Sequence, residues 1–102
     1  MALIRWIASV EKNDLEQRLL NSIEGMGLEI DHEFSSSRML YARDKDGLKC
    51  SFKARVKIFV SSTNEIESEY QFEVRSSEPM LRRGTRCEQV ANEIKSAIPP
   101  RA

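Results

Sequence analysis

Strict alternation of apolar and polar residues dominates the middle of this chain, and helical spacing marks its two flanks. From Leu48 to Val60, Leu48, Cys50, Phe52, Ala54, Val56, Ile58 and Val60 alternate with Lys49, Ser51, Lys53, Arg55 and Lys57. A period of two is the signature of a strand with one face buried. Ile66, Tyr70, Phe72 and Val74 alternate in the same way with Glu65, Glu67, Glu69, Gln71 and Glu73, and Leu28, Ile30, His32 and Phe34 with Glu29, Asp31 and Glu33. Residues 38–45 form a further strand that ends at Asp46-Gly47, a dipeptide suited to a two-residue hairpin. Ser61–Asn64 reads as the next turn. At the start of the chain, Ile4, Trp6, Ala8 and Val10 share one face of a strand over residues 3–10, with Leu3, Arg5, Ile7 and Ser9 on the other; a helix is the competing reading of this segment.

Two segments carry helical periodicity instead. Leu15, Leu19, Ile23 and Met26 recur every three or four residues behind Asn13, a good N-cap, with Asp14 and Glu16 where the helix dipole favours acids. Gly25 and Gly27 end that helix. Near the C-terminus, Thr85 and Glu88 form a capping box ahead of a stripe made of Cys87, Val90, Ala91, Ile94 and Ala97, and Pro99-Pro100 stops it. The order is β-α-β-β-β-β-α. The expected fold is α+β, a single domain over residues 1–102, with an antiparallel sheet of about five strands and both helices packed on one face.

Composition narrows the class. The 102 residues carry 16 basic and 16 acidic side chains, so no net field draws the chain toward nucleic acid or anionic lipid. Hydrophobic residues at 40 % exclude a disordered chain. The apolar start, interrupted by Arg5, is too short to span a membrane and has no secretory pattern. Cys50 and Cys87 fit neither a disulfide framework nor a zinc spacing, which points to a cytoplasmic setting with free thiols, no metal and no cofactor.

On the polar side of the sheet, hairpin geometry sets Asp44 opposite Lys49 and brings Lys53, Arg55 and Lys57 beside Glu67, Glu69 and Glu73. The expectation is a self-cancelling ladder of ion pairs. A nucleic-acid platform is basic and carries stacking aromatics, so this ladder argues against nucleic acid as a partner.

Individual sites weigh little. His32 lacks partner ligands and reads as a core or edge residue. Cys87 lies in the first turn of a helix beside Arg86, two features that lower a thiol pKa, yet its parity is that of a core residue. Arg82, Arg83 and Arg86 form the one local charge imbalance, on a loop that enters a helix N-terminus and could hold an anion. Leu3, Ile7, Leu40 and Phe59 are apolar at outward positions and form a candidate contact patch if they cluster.

The leading expectation is therefore not an enzyme but a non-catalytic protein-interaction or assembly module with an unidentified protein partner. A homodimer is an open option, since sheet edges want covering. The alternative is anion or nucleic-acid binding through the Arg82–Arg86 loop. A catalytic role would need a deep pocket between helices and sheet, lined by His32, Tyr41 or Cys87.

Overall fold

The computed structural model describes residues 2–33, 35, 39–45, 55–63, 68–79 and 84–100. Strand β1 (Ala2–Ser9) leads into helix α1 (Lys12–Ile23), which tightens into a 3₁₀ turn (Glu24–Met26). Strands β2 (Leu28–Ile30), β3 (Met39–Asp44), β4 (Lys57–Ser62) and β5 (Glu69–Ser76) follow, and helix α2 (Arg86–Ala97) closes the order. All five strands are antiparallel neighbours in one sheet, ordered β1-β5-β4-β3-β2. The last four form a meander. The first strand docks on the far side of the last, with Ala2 abreast of Ser76 and Ser9 abreast of Glu69.

Both helices lie on one face, as the one-sided alternation requires. Leu15, Leu19 and Ile23 of α1 and Cys87, Val90, Ala91 and Ile94 of α2 are buried against Ala8, Leu28, Ala42, Ile58, Val60, Phe72 and Val74 of the sheet in a single core. Trp6 stacks on Phe72 directly across β1 and β5, with ring centroids 5.3 Å apart. Such a pair contributes about 0.5–1.5 kcal/mol beyond its buried area. The helices also meet each other through Arg18, whose guanidinium donates to the Ala97 carbonyl at 2.6 Å. Helix α1 begins at Lys12 behind Glu11, not behind Asn13. Gly27 takes φ +81°, a left-handed conformation that closes the 3₁₀ turn and aims the chain into β2. Thr85 caps α2 as expected, its hydroxyl accepting from the Glu88 amide at 3.1 Å.

Three sequence expectations are corrected. Strand β2 stops at Ile30, and His32 sits exposed in a turn, with its imidazole 2.7 Å from the Glu16 carboxylate, rather than in the core or at a strand edge. Strand β4 begins at Lys57 and runs through Ser61 and Ser62, which the turn reading had removed from it; residues 46–54, including the Asp46-Gly47 turn and Cys50, lie outside the described residues. Finally, β3 faces the opposite way. Ala42 and Asp44 are buried, and Leu40 packs on the core, while Tyr41 and Arg43 point outward. Register explains it: Leu40 is abreast of Val60 and Ala42 of Ile58, and residues abreast share a face. Met39 and Tyr41 on one parity are about as apolar as Leu40 and Ala42 on the other, so alternation alone could not choose between them.

Candidate anion-binding groove

The outer face of the sheet reads as rows across the strands. One row runs Leu3, Arg75, Lys57, Arg43 and Glu29, each directly abreast of the next. Three cations thus stand side by side on β5, β4 and β3, at a strand spacing of about 4.7–4.9 Å. Like charges in directly opposed positions destabilise a sheet. The adjoining row runs Arg5, Glu73, Phe59 and Tyr41. Tyr41 and Phe59 form a tilted aromatic pair with centroids 5.0 Å apart, and the Arg75 guanidinium lies 4.3 Å over the Phe59 ring.

Acids anchor the flanks of this arrangement. Glu73 bridges Arg5 at 2.6 Å and Arg75 at 3.0 Å, and Arg43 bonds Asp31 at 3.1 Å with Glu29 at 4.0 Å. Lys57, in the middle, has Arg43 on one side and Arg75 on the other. The self-cancelling ladder therefore fails at this corner: Lys57 faces bases, not Glu69 or Glu73. A hollow of about 390 Å³ opens here, lined by the Tyr41–Phe59 pair, by the Arg43–Lys57–Arg75 row, and by Lys45 and Arg55. Its size falls within the range of small-ligand sites, about 300–1,000 Å³. Among the described residues, Asp44 is the one acid lining it.

Asp44 is already engaged. Its Oδ2 accepts from the Val56 amide at 2.7 Å and from the Arg86 guanidinium at 2.6 Å, while Oδ1 is buried without a hydrogen-bond partner. Arg86 also donates to the Met26 carbonyl at 2.9 Å, tying α2 to the 3₁₀ turn and to the end of β3. A second buried acid, Glu78, occupies the N-terminus of α2. Its carboxylate accepts from the backbone amides of Arg86 and Cys87 at 3.0 and 3.1 Å, and from the Ser76 hydroxyl at 2.8 Å. The position that the sequence offered to an external anion thus already holds a carboxylate of the chain itself, where the helix dipole stabilises it. Arg82 and Arg83 lie outside the described residues.

Cys87 follows from the same arrangement. Burial, and then the Glu78 carboxylate, push its thiol up to about 11, and its Sγ–H donates to the Val74 carbonyl at 3.2 Å. Cys87 is fully buried, as its core parity indicates, and burial outweighs the two features that lower a thiol pKa, since Arg86 is committed to Asp44 and the amides to Glu78.

The expected apolar patch does not assemble. Leu40 belongs to the core periphery, Phe59 lies beneath Arg75, and Leu3 and Ile7 sit on β1 on either side of Arg5, with Ile7 exposed. Tyr41 lines the outer hollow rather than a pocket beneath the helices. The sequence reading placed Tyr41 on the helix side and left out Arg43; reversing β3 moves both to the outer face. Among the described residues no group of three or more His, Cys, Asp or Glu is placed to hold a metal ion, and no helix is long and apolar enough to cross a membrane. No known family model matches the chain, and no curated protein matches it in sequence.

Proposed function

We propose that this chain is a binding module that holds an extended polyanion along the Arg43–Lys57–Arg75 row. The observation that carries this reading is three cations directly abreast on neighbouring strands, at the mouth of a hollow whose one acid among the described residues is already paired. The sheet retains a repulsive arrangement that a single Lys57→Glu change would relieve. An anion with several charges removes the repulsion and gains from each cation in turn. Two strand gaps separate Arg43 from Arg75, about 9–10 Å. That span exceeds one phosphate group and suits a chain of them. The lining supplies positive charge and aromatic surface, and so supports binding rather than turnover.

Inorganic polyphosphate is the direct probe, titrated by calorimetry at low salt. Binding is expected to weaken as salt rises, with a log–log slope of about −2 for three neutralised charges, and to fall at least tenfold in Lys57→Glu. Indifference to both salt and this substitution, or no binding at all, overturns the reading.

A further inference from the structure

The groove has an aromatic row that a bare polyanion would not use. We infer that its occupant is a single-stranded nucleic acid, with a base stacked on the Tyr41–Phe59–Arg75 cluster and phosphates along the cation row; this rests on the polyanion reading above.

Tyr41 and Phe59 are directly abreast on β3 and β4, half-buried, and open into the same hollow as Lys57 and Arg75. Arg75 contributes to both rows. Its guanidinium carbon lies 4.3 Å from the Phe59 centroid and the group is held by Glu73 at 3.0 Å, so a cation is fixed over the ring. Bases splayed from a single strand stack on aromatic rings and on guanidinium planes of this kind. Phe59 and Lys57 lie two residues apart on one face of β4, a rise of about 6.6–6.8 Å. This matches the reach from a base to its own phosphate, so one nucleotide can engage both rows at once. A duplex keeps its bases stacked internally and offers no face to the rings. An acidic peptide or a polyphosphate could satisfy the cations, but neither accounts for an aromatic pair that stands in the row next to them, abreast of Glu73.

The neutral whole-chain charge shapes the expectation. Little long-range attraction is available, so affinity is local, and stacking carries a large share of it.

The test compares four probes on the intact protein by fluorescence anisotropy at low salt: a twelve-residue thymidine oligonucleotide, an abasic strand of the same length, polyphosphate of equal charge, and the matching duplex. The thymidine strand is expected to bind at least tenfold more tightly than the abasic strand, the polyphosphate or the duplex, the fold-change that one base–aromatic stack supplies. Phe59→Leu is expected to erase that margin while leaving polyphosphate affinity within twofold. The probe comparison on the unsubstituted protein decides the matter even if Phe59→Leu fails to fold. Equal affinity for the thymidine strand, abasic strand and polyphosphate overturns the nucleic-acid inference and leaves the polyanion reading standing. Failure of every probe to bind overturns both, and tightest binding to the duplex overturns the stacking geometry.

Discussion

The two ends of Arg86's reach and the open face of β4 treat positive charge in opposite ways. At the start of α2, Arg86 is largely enclosed and meets a buried carboxylate of Asp44 at 2.6 Å, while Glu78 satisfies the backbone amides beside it. On the outer face, Lys57 is exposed and stands between Arg43 and Arg75. The first cluster joins β3, the 3₁₀ turn and α2, and its geometry is closed within the chain. In the second, Arg43 and Arg75 have acids at the flanks and Lys57 stands between the two cations. A fold holds buried charge in pairs because isolated buried ions are strongly unfavourable, whereas solvent tolerates a like-charge row at modest cost. Matched charge here joins buried elements of the structure, and massed charge lies on the surface proposed for binding.

The largest expected effect lies at the enclosed end. Arg86→Ala leaves the Asp44 carboxylate buried, with only the Val56 amide for company. Removing one partner of such a pair destabilises by about 3–5 kcal/mol. Urea unfolding should show it, and a change below about 1 kcal/mol would erase the distinction between the two clusters.

Next comes Cys87, whose thiol belongs to the enclosed cluster. Folding raises its pKa from 9.0 to about 11, so between these values the native state holds a proton that the unfolded state has released. Stability from this group is present in full below pH 9 and is lost as pH rises through the window, by about 2–3 kcal/mol at most. The difference in unfolding free energy between the wild type and Cys87→Ala should shrink by that amount from pH 9 to 11. A constant difference would place the thiol outside the influence of burial and Glu78.

Element order, both helices and the parity of β1 and β5 are legible in the sequence because each has one clearly apolar face. The site is not legible, and two local ambiguities explain why. Strand β3 carries apolar residues on both parities, so Tyr41 and Arg43 could not be assigned to the outer face. The stretch Ser61-Ser62-Thr63-Asn64 has turn chemistry, yet serine and threonine are also compatible with a strand, and Ser61 and Ser62 pair with Gln71 and Tyr70. Moving the hairpin tip past them slides β5 along β4, and Lys57 meets Arg75 instead of a glutamate. The charges were visible from the start; which of them were neighbours depended on register.

Lys57 also offers the smallest effect and the most direct test. Substituting glutamate there replaces two like-charge contacts by two opposite-charge ones, each worth about 0.2–1 kcal/mol. The measurement is the unfolding free energy of Lys57→Glu against the wild type in urea at low ionic strength. A gain of about 0.5–1 kcal/mol, fading as salt is added, is the expected result, since the row is held against the stability of the free protein. A loss of similar size would mean that Lys57 already has its counter-charge within the chain, and that the groove is not waiting for an anion.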